Sequence, residues 1–191
     1  MKTSQIFLTF LLIACFIACK NRGTVIVGSL PNDNFDKQAV YWVPLDDEHP
    51  KPVDSTHIDK NKFRLVISSR NFNKLGVIRV RLEFRLDLQE ILVFTEPGTI
   101  FVNLDKNSSA SGTPLNQTLQ QWKEKKFTYD STCYSIRVKY RNETIETEKI
   151  RYKSELDDIE KEYYSYIANL VEQNNDNAIG QFLKTHLKSD E

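Results

Sequence analysis

The three cysteines of this 191-residue chain are its most reactive side chains, and two of them sit where a cell would modify them. Leu12-Ile13-Ala14-Cys15 and Phe16-Ile17-Ala18-Cys19 each place a thiol directly after a small residue near the end of an apolar run. That pattern matches the bacterial lipobox, in which the cysteine is acylated and becomes the mature N-terminus. Leu12 suits the position three before the cysteine better than Phe16 does. Cleavage before Cys15, however, would leave Phe16-Ile17 at the new start, whereas cleavage before Cys19 exposes the polar Lys20-Asn21-Arg22. Cys19 is therefore favoured for lipidation, with Cys15 the alternative and a plain signal peptide the remaining reading. Several acyl chains on one cysteine would hold the protein stably, since each buried methylene contributes about 0.8 kcal/mol.

The other candidates are weaker. Cys133 stands alone between Thr132 and Tyr134 and has no partner for an internal disulfide. It reads as a reactive thiol or, more commonly for a lone cysteine, as a small half-buried side chain. Arg79, Arg81 and Arg85 alternate with apolar residues and would share one face of a strand. This candidate binding face could grip an anionic glycan, a lipid headgroup or an acidic protein; the same pattern also makes a solvated sheet face with cross-strand ion pairs. Glu96 beside Pro97 is either a placed carboxylate or a solvated turn residue, and residue-burial statistics favour the latter. His49, His57 and His186 lack metal-ligand spacing, Glu160 and Glu162 belong to a charged helix face, and six glycines form no phosphate-binding loop. No catalytic residue, metal or cofactor is expected, and the chain reads as non-enzymatic.

Charge and length narrow the class further. Lysine plus arginine number 26, as do aspartate plus glutamate, a balance that argues against nucleic acid as a partner. After the basic Lys2, Ile6 to Ala18 is almost continuously apolar. The run is shorter than the roughly 20 residues of a membrane-spanning helix, so residues 1–18 read as a lipoprotein signal peptide. What remains suits one domain with helical additions.

The elements that must position these residues divide into a β half and an α half. Thr24 to Gly28, Ala39 to Val43, Val53 to Ile58 and Phe63 to Ile67 read as strands, with Asp59-Lys60-Asn61-Lys62 as a hairpin turn between the last two. Val77 to Leu86 has the strictest period of two, with Ile78, Val80, Leu82, Phe84 and Leu86 on one face. Ile91 to Phe94 and Thr99 to Leu104 flank Glu96-Pro97-Gly98, where Pro97 fixes φ and Gly98 supplies a positive φ; a second β-hairpin is expected. Thr113 as N-cap, with its hydroxyl accepting a backbone N–H, and Pro114 at the first helical position start a helix carrying Leu115, Leu119 and Trp122. Lys123 to Lys126 end it, and an aromatic connector with Phe127, Tyr129, Cys133 and Tyr134 follows. A long amphipathic helix then runs from about Thr144 to Glu172 with Tyr152, Leu156, Ile159, Tyr163, Ile167 and Leu170 on one stripe. Asn174 to Asn177 break it before a last short helix.

The order of strand, Glu96-Pro97-Gly98, alternating strand, Ser111-Gly112-Thr113-Pro114-Leu115-Asn116 and amphipathic helix resembles an uncharacterised module, domain of unknown function family 4369. That module is the N-terminal domain of lipoprotein TlpA/ResA-like thiol-disulfide oxidoreductases. The resemblance covers roughly Gly23 to Trp122 and implies a thioredoxin-like periplasmic protein as partner. The sequence has no Cys-x-x-Cys and no room for a thioredoxin domain before Glu191, so the relatives' redox chemistry transfers to no residue here. The expectation is a β-rich α+β fold: a signal peptide over 1–18, an antiparallel β-sandwich over 19–112 and a helical region over 113–191. Its expected role is a binding or adaptor module anchored to the membrane through its N-terminal lipid, at the outer membrane facing the periplasm. The alternative is a trans-acting accessory of a periplasmic thiol-disulfide oxidoreductase.

Overall fold

The computed structural model describes residues 23–45, 51–81 and 87–188. Eight strands form two four-stranded sheets, followed by three helices. The first sheet has the order β4-β1-β7-β8, from Lys62–Ile67, Thr24–Ser29, Gly98–Asn103 and Ser109–Ser111. The second has the order β3-β2-β5-β6, from Asp54–His57, Ala39–Pro44, Leu75–Arg79 and Ile91–Phe94. The expected β-rich α+β sandwich is what the chain forms, with one refinement: β1 and β7 pair in parallel, Thr24 opposite Gly98 and Ser29 opposite Asn103.

Alternation decides which side chains meet between the sheets. Lys62–Ile67 exposes every second residue, so Phe63, Leu65 and Ile67 point inward. They join Ile26, Val40, Trp42, Ile78, Ile91, Val93 and Ile100 in one buried cluster. Removing one such large side chain from water contributes roughly 1.5–3 kcal/mol, so the sandwich core carries most of the fold's stability.

Both expected hairpins turn out to be crossings between sheets. Lys60 and Asn61 adopt positive φ, as a tight two-residue turn requires, and Asp59 and Lys62 form an isolated bridge. Yet β3 pairs with β2 while β4 pairs with β1. Likewise β6 pairs with β5 and β7 with β1, so Glu96-Pro97-Gly98 hands the chain from one sheet to the other. Gly98 does take the positive φ, at 133°. The turn chemistry was readable; the pairing was not, because alternating strands in a sandwich suit a partner in either sheet.

The first helix also differs from expectation. Helix α1 runs unbroken over Pro114–Asn142, so the charged tail and the aromatic connector are both helical. Good helix formers among Lys123–Lys126 outweigh the aromatic and β-branched residues that follow, once a second helix packs against them. Helix α2 spans Glu146–Gln173 and returns antiparallel, and α3 spans Ala178–Lys188. Leu119, Trp122, Tyr163, Ile167, Leu170, Ile179 and Leu183 bury themselves together with Phe94, and Leu75 and Leu92 pack against this cluster. The helices thus cover the outer face of the second sheet at its β5-β6 side, making a third layer. No helix among the described residues is long and apolar enough to cross a membrane.

Candidate functional site

The sandwich and the helices are joined through one polar cluster at the start of α1. Asn116 is fully buried, and its side chain behaves as a missing strand: Oδ1 accepts from the Phe94 N–H at 2.9 Å and Nδ2 donates to the Phe94 carbonyl at 2.8 Å. It thereby satisfies the open edge of β6. Glu96, only 9% exposed, turns its carboxylate to the helix start and accepts from the Leu115 N–H at 2.9 Å. Longer contacts reach the same oxygen from the Asn116 N–H at 3.4 Å and Nδ2 at 3.3 Å. A carboxylate against unsatisfied N–H groups at a helix N-terminus is favourable on both hydrogen-bonding and dipole grounds. Glu96 is therefore a structural cap supplied from 20 residues away, not the solvated turn residue expected. Thr113 holds the N-cap position, but its hydroxyl accepts from Asn116 Nδ2 at 2.9 Å and caps no backbone group. Thr24 closes the cluster by donating to the Glu96 carbonyl at 2.8 Å.

From this junction α1 runs the length of the sandwich and beyond it. The Gln120 side chain accepts from the Ala110 N–H, and Lys123 donates to the Ser108 carbonyl and to Gln89. Burial pulls the Lys123 ammonium below the usual lysine range, with Asp105 and Glu124 opposing the shift. From Lys125 onward the partners are on α2: Lys125 meets Glu162 at 2.7 Å, and Tyr129 stacks on Tyr163 with centroids 4.2 Å apart. At 1.5 Å per residue the hairpin of α1 and α2 reaches about 29 Å past Lys123. Gly23 lies at the other end, where its carbonyl faces the Gly98 N–H. Where the chain enters the sandwich and where the hairpin points are thus opposite ends of the molecule.

The residues singled out for chemistry do not converge. Cys15 and Cys19 lie outside the described residues, as do the signal peptide, His49 and Arg85. Arg79 is half-buried with Nη2 3.4 Å from Glu90 Oε2, and Arg81 is exposed. This is the arrangement of a sheet face with an ion pair. Cys133 is not in a connector; it is 3% exposed on the α1 face that meets α2. Tyr129 beside it is pushed well above the ordinary tyrosine range by burial first and by Cys133 next. Among the described residues no three His, Cys, Asp or Glu side chains gather as a metal site. A cleft of about 590 Å³ opens between Asn32, Phe35, Asp87 and Lys106. A smaller hollow of about 200 Å³ lies under α1 between Leu92, Leu119, Trp122 and Lys123.

The profile of the domain of unknown function DUF4369 matches residues 24–119, half of the chain. The protein belongs to this family. No curated protein matches the chain. The DUF4369 match ends inside α1, past Asn116 and at Leu119, so it takes in the whole junction as well as both sheets. In this DUF4369 protein sequence reasoning missed Asn116 and misjudged Glu96. A signal existed for both: an Asn at the third helical position and an acid just before Pro-Gly are costly choices in an apolar setting unless each has a partner.

Proposed function

We propose that the protein is a non-catalytic binding or adaptor module, acylated at Cys19 and carried on the outer membrane facing the periplasm. The observation that carries this reading is the α1–α2 hairpin, fixed to the sandwich through Glu96 and Asn116 and reaching away from the end at which Gly23 enters it. With three residues between Cys19 and Gly23, a lipid would hold the sandwich close to the bilayer. The hairpin, about 29 Å past Lys123, would then present its side chains to whatever lies across the periplasmic space. The buried polar groups support a scaffold reading too: Glu96 and Asn116 are consumed in joining helix to sheet. The thioredoxin-like protein implied by the resemblance is the first partner to look for, by surface docking; burial of Cys133 speaks against a mixed disulfide.

The test is recovery of the full chain from gently solubilised envelope, with Cys133→Ser in parallel. Specific co-recovery of an envelope or thioredoxin-like protein, unchanged in Cys133→Ser, is the expected result. Turnover of any substrate by the purified chain, or loss of the partner in Cys133→Ser alone, would overturn the reading. The anchor is tested separately: incorporation of an alkyne-tagged fatty acid should survive Cys15→Ser and vanish in Cys19→Ser.

A further inference from the structure

The solvent-facing side of α1 carries a pattern that the fold itself does not use. Phe127, Ser131, Tyr134 and Val138 recur at spacings of 4, 3 and 4, on the side of the helix opposite Tyr129, Cys133 and Ile136. Phe127 is 69% exposed and Tyr134 67%. Neither these four positions nor the adjoining Thr128 and Ser135 carry a charge, on a helix otherwise dense in Lys, Arg, Asp and Glu. An uncharged aromatic seam at this spacing is the geometry of a helix that packs on another helix. Ser131 brings no unsatisfied group to such a contact, because its hydroxyl donates to the Thr128 carbonyl at 3.0 Å.

We propose that this seam pairs with the same seam of a second copy of the chain, antiparallel and related by a two-fold axis between residues 132 and 133. The occupant follows from size and charge. In that register Phe127 lies against Val138 of the second copy and Tyr134 against its Ser131, so every layer sets a large side chain on a smaller one. Along one flank of the seam, Asp130 and Arg137 stand one heptad apart, both exposed. An antiparallel two-fold pairing brings each Asp130 to the other copy's Arg137, and the contact is made twice. Asp130 already holds Lys126 at 3.1 Å within its own helix and has oxygens enough for both cations. A parallel pairing would stack Phe127 on Phe127 and leave Asp130 opposite Ser135. Four layers make a short seam, so the dimer is concentration-dependent and gains from any tether that raises local concentration. The pairing does not depend on the adaptor reading.

Mixed oxidation of two full-length variants tests it. Ser131→Cys and Tyr134→Cys chains, mixed under mild oxidant, should give a covalent dimer well above the level of either chain alone or of wild type. Arg137→Asp added to both should reduce that yield several-fold, and Asp130→Arg/Arg137→Asp in both should restore it. Circular dichroism of each variant confirms that the helices are intact. Equal dimer in the mixture and in the single chains, or no recovery in the charge-reversed pair, overturns the proposal.

Discussion

The fully buried Asn116 amide sits on both backbone groups of Phe94, its Oδ1 accepting from the N–H at 2.9 Å and its Nδ2 donating to the carbonyl at 2.8 Å, as a neighbouring strand would. One side chain thus ends the second sheet and begins the helical layer. Asn116→Leu keeps the branched outline, with more bulk, but leaves two buried backbone groups unpaired. At about 1–3 kcal/mol for each such group, the variant is expected to lose roughly 2–6 kcal/mol. Urea unfolding read by far-ultraviolet circular dichroism measures this; a loss under 1 kcal/mol would mean that the edge of β6 finds other partners.

Glu96 acts on the same junction through charge. Glu96→Gln keeps an acceptor near the Leu115 N–H but removes the anion from the helix N-terminus, and Glu96→Ala removes both. The expected order of stability is wild type, Gln, Ala, with the Ala variant lower by about 1–2 kcal/mol. Amide hydrogen exchange should rise most at Leu115, Asn116 and Gln117. Uniformly raised exchange across both sheets would instead place the role of Glu96 in the sandwich.

These two residues also mark where sequence reasoning stopped. Strands β1 to β7, the start of α1 and the extent of α2 were legible because each depends on local period, proline and turn chemistry. Yet β5 stops at Arg79, before Val80 and Arg81, and the short β8 carried no such signal. Both sheet crossings were not, since Glu96-Pro97-Gly98 and Asp59-Lys60-Asn61-Lys62 look alike whether the next strand pairs back or changes sheet. The continuity of α1 through Phe127–Tyr134 was hidden because its helicity depends on packing against Tyr163 and the rest of α2, far along the chain. Glu96 was misjudged for the same reason: its partner is 20 residues on. Cys133 as a small buried side chain was readable, but its helical setting was not.

The edge strand β3 carries a group that should show itself in pH dependence. Asp54 has its carboxyl raised above the usual aspartate range by burial, and its Oδ2 has no hydrogen-bond partner among the described residues. A raised folded-state value means that between about 3.8 and that value the native state binds more protons than the unfolded one. Stability therefore falls as pH rises through this window, and the deficit is fully present above it. Asp54→Asn should be more stable than wild type at pH 7 and equal to it below pH ~3.8. Urea midpoints at pH 3 and pH 7 decide this; a gain that is the same at both pH values would make the effect one of packing rather than ionisation.

Cys133 offers the sharpest separation between scaffold and redox partner. Its sulfur is shut between α1 and α2, next to Tyr129, whose ring stacks on Tyr163. A thiolate must be reached before it can attack or be attacked, so reagents meet it only when the hairpin opens. Maleimide modification of Cys133, followed by mass spectrometry of its peptide, should be slow in the native chain and should accelerate by orders of magnitude in denaturant. Tyr129→Ala, which removes the stacked ring, should speed native labelling at least tenfold by lowering the cost of opening. Cys133→Ser should leave partner recovery unchanged. Rapid native labelling of Cys133 would instead mean that the two helices part readily, and the thiol would return as a candidate for exchange with a partner.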